Sequence, residues 1–145
     1  MTPDVNILVA AFRKDHTHHV PARQWLTRTL SNGVAATQLH LFPPVVASFL
    51  RLVTNPKIFA NPDAIADALA FIDALLAFPG ARMGRAGEEW PQFRRLCLDG
   101  KLRGNAIPDA WLAAAITEQG GHLVTFDADF KKLLRRDQVT LLAAA

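Results

Sequence analysis

The sequence predicts an α/β domain built on a mostly parallel sheet, and three observations point that way. Short apolar runs alternate with longer amphipathic or Ala-rich segments along the whole chain, as strands joined by crossover helices require. Pro and Asn-Gly or Gly-Gly pairs punctuate the boundaries where helices should start and stop. Three aspartates, Asp4, Asp109 and Asp127, each fall where an apolar run meets a helix start or a turn.

The elements follow in order. A very short opening strand ends near Asp4, and residues 7–12 are apolar and Ala-rich. A helical pattern at 21–30 is stopped by Asn32-Gly33, and residues 34–38 suit a strand. Pro43 and Pro44 then open a helix carrying Val45, Phe49, Leu50 and Val53 on one side, broken by Asn55-Pro56. Asn61-Pro62-Asp63 launches the next helix, 64–78, with Ile65, Leu69, Ile72, Leu75 and Leu76 as its expected apolar stripe. A short strand at 81–83, a helix at 88–98 and a loop at 100–104 come next. Pro108 sets the first turn of a strongly Ala-rich helix that Gly120-Gly121 ends. Residues 122–126 form the clearest strand, and 139–142 the last, joined by a short basic connection at 130–136.

A chain of 145 residues, 50% hydrophobic, is enough for one well-packed domain and too short for two of ordinary size. The expected organisation is a single domain over 1–142 and a short tail at 143–145. No run of ~18 or more apolar residues is present, and the beginning lacks a signal-peptide pattern, so a cytoplasmic protein with no membrane association is expected. Cys97 is the only cysteine, which excludes an intrachain disulfide and a thiolate zinc site. It reads as a buried helix residue.

The net charge of +3 is unevenly spread. Arg82, Arg85, Arg94, Arg95, Lys101 and Arg103 fall in one stretch, Lys131, Lys132, Arg135 and Arg136 in another. Either cluster alone could be a solvated helix face. Flanking an acidic centre, they favour a polyanionic partner.

In a parallel sheet every strand's carboxyl end opens on the same edge, where ligands bind. Asp4, the Gln38 region and Asp127 should reach that edge, and Asp109 should meet them from the first turn of its helix, where the helix dipole favours a carboxylate. Asp129, two residues after Asp127, can reach the same side. Carboxylates gathered so closely repel one another unless a cation compensates, and hard, oxygen-seeking Mg²⁺ or Mn²⁺ is the natural choice. Asn6 could lock the loop presenting Asp4, and Thr125 could do the same for the Asp127 turn. Read singly, each acid could equally be a helix-start or turn residue.

Other features are weaker. His16, His18 and His19 invite a transition-metal site, but no acid completes one, and capping or surface roles are favoured. Trp25, Trp90 and Trp111 sit among apolar neighbours and read as packing residues rather than base-stacking ones.

Taken together, five segments resemble the PIN domain nucleases, and among them the VapC-like toxins of bacterial toxin–antitoxin pairs. They are residues 2–12 (TPDVNILVAAF), 15–19 (DHTHH) leading into 22–26 (ARQWL), 49–56 (FLRLVTNP), 104–114 (GNAIPDAWLAA) and 125–130 (TFDADF), so the resemblance runs nearly end to end. It implies a five-stranded parallel sheet between helices. It also implies an Mg²⁺- or Mn²⁺-dependent ribonuclease in which Asp4, Asp109 and Asp127 bind the metal and Asp129 is an accessory acid on the rim. Arg51, Arg103 and Arg136 are the favoured contacts to an RNA backbone. An antitoxin protein covering the acidic edge and a homodimer are the expected partners.

One departure stands out. The family's usual glutamate, counted five residues back from Arg51, falls on Val46, and no acid lies between Asp15 and Asp63. Water, Ser48, Gln38 or Asp129 would have to supply the missing oxygen. The departure motivates an alternative, a PIN-fold module that binds RNA or protein without cutting. A phosphoryl-accepting receiver or a phosphatase is disfavoured, because Asp4-Val5-Asn6 replaces the two aspartates that such a phosphatase carries after its first strand.

Overall fold

The computed structural model describes residues 1–31 and 39–143. The strand expected at 34–38, the Asn32-Gly33 stop and Gln38 lie outside the described residues.

Five short strands are described: β1 (Thr2–Pro3), β2 (Leu39–Leu41), β3 (Ala81–Met83), β4 (Leu123–Thr125) and β5 (Val139–Leu141). Every pairing is parallel, with β4 between β1 and β5, and β2 beside β3. The two groups meet where the His40 N–H donates to the Met1 carbonyl at 2.9 Å, which puts the strands in the order β3-β2-β1-β4-β5. Register decides what the sheet edge presents. Pro3 lies opposite Val124, and the Asp4 N–H continues the ladder to the Val124 carbonyl at 2.9 Å. Asp4 and the residues after Thr125 therefore leave the sheet side by side.

Among the described residues six α-helices cover the sheet: α1 (Val5–Phe12), α2 (His19–Ser31), α3 (Pro43–Val53), α4 (Ile65–Leu76), α5 (Trp90–Gly100) and α6 (Ala106–Gln119). In α1 all residues from Ile7 to Ala11 are buried, because α2, α3 and β4 pack around it. Phe42 in extended conformation and the two prolines of the first turn start α3 as expected, and Val45, Val46, Phe49 and Val53 face inward. The rings of Phe12, Phe49 and Phe71 meet at centroid distances of 5.1–5.6 Å and lock α1, α3 and α4 together. Phe49 is fully buried and contributes about 2–3 kcal/mol of transfer free energy, whereas Phe12 and Phe71 are half-buried. Gly120, with φ of 62°, takes the left-handed conformation that ends α6, and the Gly121 N–H closes the turn on the Ile116 carbonyl at 2.8 Å.

Helix α4 departs from its expected stripe. Ala68, Ile72 and Leu75 are the buried row, whereas Ile65 and Leu69 are 52% and 45% exposed. The apolar set is wider than the face the core can cover, so the small Ala68 turns inward and lets the helix approach, while the neighbouring row stays in solvent. Cys97 is half-buried rather than buried.

Arg13, immediately after α1, is 8% exposed. Its guanidinium donates twice to Asp15, at 3.1 and 3.0 Å, and to Asp63 at 2.7 Å and the Asn61 carbonyl at 3.1 Å. It also lies 3.9 Å from the centre of the Phe59 ring. One side chain thus ties the end of α1 to the connection between α3 and α4. Among the described residues no helix is long and apolar enough to cross a membrane.

Candidate active site

Parallel β1 and β4 release Asp4 and Thr125 at one edge, and a single hydroxyl joins them. The Thr125 Oγ1 donates to the Asp4 Oδ2 at 2.6 Å and accepts from the Asp127 N–H at 3.0 Å and the Asn6 Nδ2 at 3.2 Å. Asn6 answers through its Oδ1, which accepts from the Phe126 N–H at 3.3 Å. The other Asp4 oxygen accepts from the Val5 N–H at 2.7 Å and caps α1. Asn6 and Thr125 thus hydrogen-bond between the start of α1, which carries Asp4, and the turn that carries Asp127.

Asp4 is 6% exposed, and burial pushes its pKa up. Hydrogen bonds from Thr125 and Val5 pull it back, and the charge of Asp127 pushes it up again. Asp109 stands half-buried in the first turn of α6. Its pKa rises to about 6, through burial first and then through the charges of Asp4, Asp127 and Asp129. The charges of the other three predicted acids thus all bear on Asp109. Asp127 is half-buried and accepts from the Asp129 N–H at 2.9 Å, while Asp129 is exposed and pairs loosely with Lys132 at 3.7 Å.

Asp4 and Asp109 open on a cleft of about 290 Å³ whose other walls include Phe42, Val45, Ser48 and Trp111. Among the described residues no three His, Cys, Asp or Glu side chains close on a common point. From α3, Pro44, Val45 and Ser48 line the cleft, and of these three Ser48 carries the side-chain oxygen, whereas Val46 is buried in the core. Val46 lies on the inward row with Phe49 and Val53, and the half-buried Ser48 lines the cleft with the two acids.

Arg51, Arg103 and Arg136 are all exposed and lie outside the cleft lining. His16 accepts from the His18 N–H through Nδ1 at 3.0 Å, and His19 Nδ1 contacts the Ala10 carbonyl at 2.8 Å. The His18 ring stacks on Phe126 at 4.6 Å. The histidines are thus engaged with the backbone and one aromatic ring.

Sequence reasoning missed Glu89. It is 1% exposed, and its carboxylate accepts from the Gly87 N–H at 3.0 Å and from the Trp111 indole N–H. Nothing in the local pattern separates it from the exposed Glu88 beside it.

A parallel α/β domain that gathers aspartates where its strands end is the architecture of one nuclease-containing class, and the chain belongs to it: residues 1–135 match the PIN domain family. Within that family it is similar to Ribonuclease VapC25 of Mycobacterium tuberculosis, 40% identical over 130 residues that cover 89% of each chain. It is also similar to the VapC ribonuclease Mb2897 of Mycobacterium bovis, 39% identical over 133 residues, covering 91% of this chain and 88% of that one. Its fold matches a chain of VapBC2 from Rickettsia felis, solved bound to a DNA fragment from their promoter, with a TM-score of 0.67 and 98% of each chain covered. At 16% identity that likeness bears on the fold alone.

Proposed function

We propose that this chain is a metal-dependent endoribonuclease, the toxin of a toxin–antitoxin pair, which hydrolyses RNA phosphodiester bonds. The observation that carries the reading is that Asp4 and Asp109 open on one cleft at the sheet edge, where burial first and then the charges of Asp4, Asp127 and Asp129 hold Asp109 at a pKa of about 6. Relatives named as VapC ribonucleases, 39–40% identical over most of the chain, support the same activity.

The donor set fits a hard cation, since it is all oxygen and its members repel one another without one. Asp4, Asp109 and Asp127 would hold Mg²⁺ or Mn²⁺, with Asp129 at the rim. When bound, the cation neutralises charge on the phosphoryl oxygens and acidifies a water. The protein's own part is orientation. Thr125 and Val5 fix both oxygens of Asp4, and the same threonine holds the turn that carries Asp127. Ser48 offers a neutral oxygen where α3 faces the acids. The exposed Arg51, Arg103 and Arg136 would meet phosphates outside the cleft and make RNA binding salt-dependent. An antitoxin covering the acidic edge, a homodimer and a cytoplasmic setting belong to the same reading.

The deciding experiment uses protein freed of any co-purified partner and incubated with RNA in Mg²⁺ or Mn²⁺. Cleavage is expected with either cation, and is expected to vanish in EDTA and in the Asp4→Asn/Asp109→Asn double variant. RNA that is bound but never cut would overturn the reading in favour of a binding module. A second measurement tests the bracing. Thr125→Val keeps the shape but removes the hydroxyl, so kcat/KM is expected to fall about 10- to 100-fold with an unchanged circular dichroism spectrum. Full activity in that variant would show that Asp4 and Asp127 hold their places unaided.

A further inference from the structure

We infer that the cleft beside Asp4 and Asp109 is a seat for one unstacked base of the RNA, adjacent to the phosphate that is cut. The inference rests on the ribonuclease reading and specifies which part of the substrate the site grips.

The cleft's chemistry is the first ground. Apart from the two carboxylates its walls are largely apolar, including Val5, Val45, Trp111 and Leu112, and no lysine or arginine lines it. A phosphate entering it would meet negative charge and no donor cation, so the backbone must stay at the acid rim. A neutral, flat ring suits the rest. The volume of about 290 Å³ is at the small end of the range for ligand pockets and leaves room for a single base rather than a stack of them.

The second ground is Trp111, which is set in place before any ligand arrives. Its indole N–H donates to the buried Glu89, itself held by the Gly87 N–H, and its ring packs against Phe93 at 4.4 Å between centroids. A carboxylate 1% exposed and shared between one indole and one backbone N–H is costly to bury, and it gives that ring one orientation. Aromatic rings fixed in this way stack bases without further loss of side-chain freedom. Ser48 is the third ground, because its hydroxyl can donate to or accept from the edge of a base. A base inside a duplex cannot enter such a slot, so the substrate is cut in loops or single strands.

The test compares a single-stranded RNA that the protein cuts with copies made abasic at either nucleotide flanking the cut. Affinity is read by fluorescence anisotropy in EDTA, and cleavage separately in Mn²⁺. One abasic position is expected to weaken binding by the wild-type chain about 5- to 100-fold. Ser48→Leu, which fills the slot without touching Glu89, should bind intact RNA as weakly as the wild type binds the abasic copy. Trp111→Phe should keep most of the base dependence and Trp111→Leu should lose it. Equal binding and cutting of intact and abasic RNA by the wild type would overturn the base seat while leaving the nuclease reading standing. So would a Ser48→Leu chain that keeps its base dependence but loses self-association or antitoxin capture, which would give the slot to a protein partner. Failure of the wild type to cut any RNA would sink the ribonuclease reading itself, and the base seat with it.

Discussion

Asp109→Asn is expected to abolish RNA cleavage and, at the same time, to raise the melting temperature of the metal-free protein. The carboxyl's pKa is about 6 in the fold against an ordinary 3.8, so the folded chain holds a proton that the unfolded chain has already released. Stability from this group is therefore greatest below about pH 4 and is lost as pH rises through about 6. Above that, the ionised carboxylate weighs against the fold. A shift of this size would be worth roughly 3 kcal/mol unscreened, and at a half-buried position on the order of 1 kcal/mol. The asparagine variant should then melt about 2–4 °C higher near neutral pH in EDTA. The gain should fade toward about pH 4 and shrink when Mg²⁺ or Mn²⁺ is added. Asp4→Asn should lose activity too but gain little stability, because the carboxylate there accepts hydrogen bonds from Thr125 and Val5. Thermal scans at several pH values check this, and a variant that is inactive yet no more stable would remove the electrostatic argument for the site.

Arg13→Ala is expected to be the most destabilising single change outside the apolar core, by about 1–3 kcal/mol. It strands the partly buried Asp63, leaves the Asn61 carbonyl without its donor and uncovers the Phe59 ring. Arg13→Lys should recover only a fraction, since an ammonium cannot serve Asp15 with two parallel bonds while reaching Asp63. Urea unfolding would measure both. A loss under about 1 kcal/mol for the alanine variant would mean that the connection between α3 and α4 holds itself in place.

Both residues illustrate what a linear chain discloses. Strands and helices were legible because their signals are local, such as the prolines that open α3 or the glycines that close α6. Asp4, Asp109 and Asp127 stood out as candidates because each marks a junction, and a parallel sheet sends such junctions to one edge. Arg13 and Glu89 were not legible, because their roles depend on partners far along the chain. Arg13 reads as an ordinary charge after a helix until Asp63 comes near. Glu89 matches its neighbour Glu88 until Trp111 reaches it. The α4 stripe misled for a related reason, since hydrophobicity marks residues that can be buried, and the available core surface decides which of them are.

The Thr125 hydroxyl has a consequence in time. It joins Asp4 to a residue 121 positions later, and β1 has no partner on that side until β4 exists. At a synthesis rate of about 5–20 residues per second, the beginning of the chain waits roughly 6–24 s for the segment that completes its acidic edge. Closing so long a loop is also a late, slow step once the segment has been made. A chain interrupted anywhere before β4 carries Asp4 without its brace and without Asp127. The order of synthesis therefore makes the acidic edge among the last features to appear, and an unfinished copy lacks it.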